Sequence, residues 1–292
     1  MTTPPNPALV PTGKDRTWFI TGASTGFGRL LAEEVLKSGG KVVATARKLD
    51  KVADLEKQYP KTALAIALDV TAAGQADSAV TQAIAKFGHV DVLVNNAGYG
   101  VAGAIEEVSE AEFMPMYETN VFGLLRVTRA FLPQFRKQRS GHILNLSSIG
   151  GLIASQGLGY YSSTKFAVEA ISESLAAELA PLGIKVTIIE PGPFRTDFLG
   201  RSGVVAKTRV ADYDNTAGNM RKYFAENDGK QPGDPLRAVH AMMQVVESPT
   251  PPLRLLLGKS ALQRIRTKLE NWQKEIATWE QVTVGADFPE GE

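Results

Sequence analysis

Thr17-Trp18-Phe19-Ile20-Thr21-Gly22-Ala23-Ser24-Thr25-Gly26-Phe27-Gly28 is the stretch whose reading decides the fold. Its first four residues form a short apolar run, and Arg29-Leu30-Leu31-Ala32-Glu33-Glu34-Val35-Leu36 after it follows a helical period. A glycine cluster alone is an ordinary turn; one that ends a strand and opens a helix is an anion cradle. Gly22 allows the tight turn, Gly26 lets backbone approach a phosphate, and Gly28 lets the helix pack closely on the strand. Ser24, Thr25 and Phe27 complete the turn, so the pyrophosphate of a dinucleotide is expected at the positive helix end.

Outward from this turn, β-branched runs alternate with longer helical segments, the pattern of a parallel sheet wrapped in helices. The expected strands are Thr17–Ile20, Lys41–Ala46, Ala63–Asp69, Val90–Asn95, His142–Leu146, Lys185–Glu190 and Leu253–Leu257. Between them fall helical stretches such as Gly28–Lys37, Ala76–Phe87, Ala111–Arg136 and Tyr161–Leu179. This predicts an α/β fold: a doubly wound, Rossmann-like parallel sheet of about seven strands in one domain, 17–258. Met1 to Arg16 holds four prolines and reads as a disordered leader. Residues 198–235 lose the strand rhythm and read as an insertion over the active site. Residues 259–292 form a C-terminal helix and tail.

In such sheets ligands sit beyond the carboxyl ends of the strands, so the residues just after each strand carry the argument. After the second strand the position where an acid would hold the ribose hydroxyls of NAD is Ala46, and Arg47 follows with a planar fork suited to phosphate. This favours NADP(H) over a solvated surface arginine. After the third strand, Asp69 and Val70 suit the adenine amino group and ring, though Asp69 equally suits a helix cap. After the fourth, Asn95-Asn96-Ala97-Gly98 offers small residues beside the ribose and an asparagine to brace adjacent strands.

The sharpest constellation is Ser148, Tyr161 and Lys165. Tyr161 and Lys165 are four apart and share a helix face. A free tyrosine titrates near about 10 and is a poor acid–base partner at neutral pH. A neighbouring ammonium is expected to draw it down. Lys165 could also hold the nicotinamide ribose, and the Ser148 hydroxyl could orient a substrate carbonyl. A surface lysine on an amphipathic helix would give the same spacing; what outweighs that reading is convergence with the other motifs.

Thr21–Gly28, Asn95–Gly98, Ser148, Tyr161-Ser162-Ser163-Thr164-Lys165 and Pro191-Gly192-Pro193 stand in the order and spacing of the short-chain dehydrogenase/reductase family, which the chain resembles from about Thr17 to Gly258. The resemblance implies that Tyr161 is the catalytic acid–base, that Lys165 lowers its pKa and binds ribose, and that Ser148 stabilises the reacting oxygen. It also assigns Asn120 to a helix position holding a water that links Lys165 to solvent. Thr196 is assigned to the nicotinamide carboxamide, and Pro191-Gly192 to the wall beside the ring. Ser147–Gly151 and Tyr161–Glu169 look most like the branch with hydroxysteroid and retinol dehydrogenases. The implied reaction is hydride transfer between NADP(H) and a carbonyl or secondary alcohol.

Composition agrees. Lys plus Arg number 32 against 31 Asp plus Glu, so no overall field recruits nucleic acid or an anionic membrane, and a small-molecule partner is expected. There is no cysteine, hence no disulfide, thiolate nucleophile or cysteine metal site, and three histidines are too few for metal chemistry. The charge-free run Ser140–Thr164 is long enough to span a bilayer, but Asn145, Ser147, Ser148, Ser155, Gln156 and five glycines interrupt it, so no membrane span is expected. A cytoplasmic enzyme follows, with a homodimer or homotetramer left open. Two rival readings are a non-catalytic NADP-binding regulator, which a broken triad would favour, and an NADP-dependent epimerase or dehydratase, against which the glycine spacing argues. The last helix carries Leu262, Ile265, Leu269, Trp272, Ile276 and Trp279 on one stripe. It is expected to pack on its own domain or a neighbouring subunit, with a wall of the substrate pocket as the alternative.

Overall fold

The structure is a computed structural model that describes residues 14–200 and 202–288. In chain order the elements are β1 (Thr17–Ile20), α1 (Gly26–Lys37), β2 (Lys41–Ala46), α2 (Ala53–Gln58), β3 (Ala63–Ala67), α3 (Gln75–Phe87), β4 (Val92–Asn95), β5 (Gly100–Ala102) and α4 (Glu110–Tyr117). There follow α5 (Leu124–Gln138), β6 (Gly141–Leu146), α6 (Gly159–Leu179), β7 (Ile184–Pro191), β8 (Gly203–Val205), α7 (Ala217–Asn227), α8 (Pro235–Glu247), β9 (Arg254–Leu257) and α9 (Lys259–Val284).

Seven strands form one parallel sheet in the order β3-β2-β1-β4-β6-β7-β9. The order reverses between β1 and β4, which places a crevice at their carboxyl ends. Both faces are buried, and side chains alternate between them at every residue. Trp18, Ile20, Val42 and Ala44 pack under α1 and α8 with Leu31, Val35, Val239 and Met242. Phe19, Val43, Leu93 and Ile143 pack under α3, α5 and α6 with Phe131, Phe135 and Leu175.

The structure departs from the sequence reading in several places. The stretch 111–136 is two helices, not one: between α4 and α5 the chain widens into a π-helical turn, Glu118–Gly123. Such turns are inserted where local geometry serves a site, and here it carries Asn120. Helical periodicity does not separate it because the chain stays helical from Glu110 through Gln138. β3 stops at Ala67, so Asp69 lies past the strand. Asp69 caps no helix, since α3 starts after Gly74; its Oδ1 instead accepts from the Thr71 amide (2.9 Å) and hydroxyl (2.7 Å).

Residues 198–235 are also more ordered than expected, holding β8, which pairs with β5, and α7. Arg221 on α7 ties this segment down: its Nη2 donates to Glu107 Oε2 at 2.7 Å and its Nη1 to the Ala206 carbonyl at 2.8 Å. Burial opposes charge on Glu107, yet the amides of Val210 and Ala104 and the Arg221 guanidinium hold it below the usual carboxylate range.

At the N-terminus, 1–13 of the expected leader lie outside the described residues. Arg16 is held in place, its carbonyl accepting from the Lys41 amide at 2.9 Å and its guanidinium meeting Glu247 at 3.1 Å. At the C-terminus, only the root of α9 packs on the domain. Ala261 is buried, but Leu269, Trp272, Ile276 and Trp279 are exposed. Among the described residues only Ile153 and Ala154 stand near the outer turns, across a cavity from Trp272 and Glu275, so the outer part of the stripe is not packed on the described domain. No helix among the described residues is long and apolar enough to cross a membrane.

Candidate active site

The glycine turn behaves as its residues require. Gly22 and Gly26 sit at φ +66 and +56, where a side chain is strained. A Cβ on Gly28 would lie 2.6 Å from the Gly22 carbonyl oxygen and 2.5 Å from Asn96 Nδ2. Asn96 in turn donates to the carbonyls of Thr21 (2.9 Å) and Gly22 (3.0 Å), clasping the turn to the end of β4. Its neighbour Asn95 braces the sheet, donating to Asn145 Oδ1 on β6 and Thr128 Oγ1 on α5, both at 2.9 Å. Thr25, the residue before α1, uses no side-chain cap, and the first turn of α1 has no acidic residue, so the helix end keeps its positive field for an anion.

This turn forms one end of a cavity of about 1270 Å³ that runs along the crevice. Gly22, Ser24, Thr25, Gly26 and Phe27 line it first; Arg47, Asp69 and Val70 follow, then Asn96, Ala97 and Gly98. Ser148, Tyr161 and Lys165 stand further along, with Pro191, Gly192 and Thr196 opposite. Ala46 is buried and Arg47 exposed at the rim. Gly28 and Asn120 alone among the expected site residues do not face this space; both act from behind it.

Tyr161 and Lys165 are one turn apart on α6 and both nearly fully buried. The Lys165 ammonium lies 5.9 Å from the centre of the Tyr161 ring and donates to the Leu146 carbonyl at 2.7 Å. Burial pushes the Tyr161 phenol up to about 12, a rise the hydrogen bond with Ser148 only offsets in part. Burial also pushes Lys165 down to about 8, opposed by the charge of Glu169. Burial thus favours the protonated form of the Tyr161 phenol at neutral pH. Ser148 ends β6 and its Oγ also accepts from the Gly150 amide at 2.9 Å, which fixes the hydroxyl beside the phenol.

Asn120 is buried in the π turn. Its Nδ2 donates to the Tyr99 carbonyl (2.9 Å) and Thr164 Oγ1 (3.1 Å), and its Oδ1 accepts from the Tyr99 amide (3.0 Å). A Cβ on Gly98 would stand 3.0 Å from that Oδ1 and 3.7 Å from Lys165 Nζ. The side chain therefore ties the β4 loop to α6.

Sequence reasoning missed the residues that close the far end. Phe198 lies over Tyr161 with ring centres 5.2 Å apart, and Leu199, Val204, Met220, Tyr223 and Phe224 extend an apolar wall. All six come from residues 198–235, the segment expected over the site, where no periodicity marks which side chains turn inward. From α9, Ser260 and Arg264 reach the rim. Behind Lys165, Glu169 and the fully buried Glu190 share the Arg254 guanidinium, each 3.3 Å from its Nε. Burial, and after it the Glu169 charge, pushes Glu190 up to about 8.

The short chain dehydrogenase family profile matches residues 16–203. The chain is 37% identical over 272 residues to "Oxidoreductase BOA17" of Botryotinia fuckeliana, covering 93% of this chain and 99% of that protein. It is 35% identical over 258 residues to human retinol dehydrogenase 8, covering 82% and 80%. Among solved structures, a short-chain dehydrogenase from Streptomyces avermitilis superposes with a TM-score of 0.87 at 42% identity over 93% of this chain and 98% of that one. Similar structures contain either nucleotide. The 3-ketoacyl-(acyl-carrier-protein) reductase of Brucella melitensis is complexed with NADH (30% identity, TM-score 0.71, 84% and 97% covered), and ElxO holds NADP (26%, 0.71, 85% and 99%).

Proposed function

The chain belongs to the short-chain dehydrogenase family, and from that premise we propose that it is an NADP(H)-dependent oxidoreductase acting between a carbonyl and a secondary alcohol. The observation that carries the reading is the meeting of Tyr161, Ser148 and Lys165 in the one cavity whose other end is the glycine turn. The pyrophosphate suits the amides at the start of α1, and Arg47 at the rim suits a ribose phosphate, with Ala46 rather than an acid at the end of β2. The dinucleotide, when bound, supplies or accepts the hydride.

The protein's own part is orientation and proton handling. Ser148 would hold the substrate oxygen beside the Tyr161 hydroxyl. In reduction Tyr161 would give its proton to that oxygen; in oxidation the phenolate would take one back. Lys165 would position the ribose and favour the phenolate as it forms, and Asn120 acts through Tyr99 and Thr164 as a positioning residue. Val70, Asn96, Ala97, Gly98, Pro191, Gly192 and Thr196 would wall the cofactor, and Asp69 the adenine. The apolar wall of Phe198, Val204, Met220 and Phe224 favours a substrate with a large hydrocarbon part.

Tyr161→Phe tests this. Turnover should fall by about 10²–10⁴, the usual worth of acid–base catalysis, while NADPH affinity stays within a few-fold. Retention of more than roughly a tenth of the activity would place the proton transfer elsewhere.

A further inference from the structure

Beyond its root, α9 is a surface that the proposed chemistry does not use. Leu262, Ile265, Leu269, Trp272, Ile276 and Trp279 recur at alternating steps of three and four along it. Five of the six are open to solvent, from 42% for Leu262 to 62% for Trp279. The inner flank is anchored: Arg264 Nη2 donates to Ser155 Oγ at 2.9 Å, and Lys268 donates to the Leu152 carbonyl and lies 5.3 Å from the Phe166 ring centre. The helix is thus held at one end with an apolar stripe, two tryptophans included, facing outward. Large aromatic area of this kind gains most from being covered.

We propose that this stripe pairs with the same stripe of a second copy, antiparallel, about a two-fold axis passing between Glu270 and Asn271. In that arrangement each residue stands opposite the one equally far beyond the axis. Leu262 meets Trp279, Ile265 meets Ile276, and Leu269 meets Trp272 of the second copy, so every apolar residue has an apolar partner. The flanks match as well. One register step off the stripe, Lys259 comes beside Glu280, a pair formed twice by symmetry, with Arg266 beside the neutral Gln273, while Lys268 stays on its own Leu152 carbonyl. Parallel pairing would instead set Glu275 beside Glu280 and make no opposite-charge pair. A membrane surface fits less well, because helices that lie in it carry a basic polar face, whereas here Arg264 and Lys268 are tied to the domain and Glu275 and Glu280 flank the tryptophans. The stripe spans under three heptads, too few for free helices. Anchoring at Arg264 and Lys268 removes much of the ordering that free helices would have to supply.

The absence of cysteine makes the register directly testable, since any introduced thiol is the sole one. Two full-length chains of different tag size, Leu262→Cys and Trp279→Cys, are mixed under mild oxidation. A disulfide needs Cα atoms within about 4.4–6.8 Å. Antiparallel pairing brings the two positions together, whereas in Leu262→Cys alone the thiols lie about 26 Å apart along the axis at 1.5 Å per residue. A cross-linked hetero-species is expected, with neither variant cross-linking alone. Self-cross-linking of each variant, or no cross-link, would overturn the proposal. As a second reading, Leu269→Glu/Ile276→Glu should lower the sedimentation-derived mass at micromolar concentration; an unchanged mass overturns it too.

Discussion

At Tyr161 the ring is buried beneath Phe198, and that burial sets its chemistry. With its phenol near 12 and Ser148 beside it, Tyr161 is protonated throughout the neutral range. The sign follows. Reduction consumes the protonated form, so kcat/KM for a ketone should stay flat from about pH 6 to 8; oxidation needs the phenolate and should rise with pH over that range. A falling oxidation profile would assign the base elsewhere. The proposed cofactor choice turns on Arg47 at the same scale. Arg47→Asp should weaken NADPH and strengthen NADH, since a carboxylate repels phosphate and accepts ribose hydroxyls. Titration of both nucleotides checks this, and an unchanged ratio would remove Arg47 from the site.

Among the elements, the segment carrying β8 and α7 closes the cavity, and the Arg221–Glu107 pair pins it. Arg221→Ala should raise KM roughly tenfold, equivalent to about 1.4 kcal/mol, while NADPH affinity holds, because the segment shapes the substrate end only. Steady-state kinetics at saturating NADPH would show this, and an unchanged KM would unlink the pair from substrate binding. The end of β7 supplies a second test. Glu190 is pushed up to about 8, so the folded protein keeps a proton there that the unfolded chain releases above the ordinary carboxylate range. Stability from this source is fully present at low pH and is lost as pH rises towards about 8. Glu190→Gln should therefore melt higher relative to the wild type at pH 9 than at pH 5. An identical pH dependence of melting would contradict it.

Across the whole molecule, what the sequence made legible is what has a period or a steric demand. Strands buried on both faces announce themselves as apolar runs, and β1 and β2 fall where those runs predict. Gly22, Gly26 and Gly28 are legible because nothing larger fits their turn. What stayed hidden lacks such a signature. The π turn at Asn120 lies within an unbroken helical stretch, and the wall from Leu199 to Phe224 is set by tertiary closure. The phenol's high pKa comes from its burial, which spacing cannot tell. The measurement that tests the account most directly follows deuterium from NADPH labelled at the transferable position into product, over a panel of apolar ketones and aldehydes. Wild-type protein should give alcohol one mass unit heavier, and Tyr161→Phe almost none. A panel left unreduced, or equal deuterium transfer by Tyr161→Phe, would contradict the assignment of this cavity to hydride transfer with Tyr161 as its proton donor.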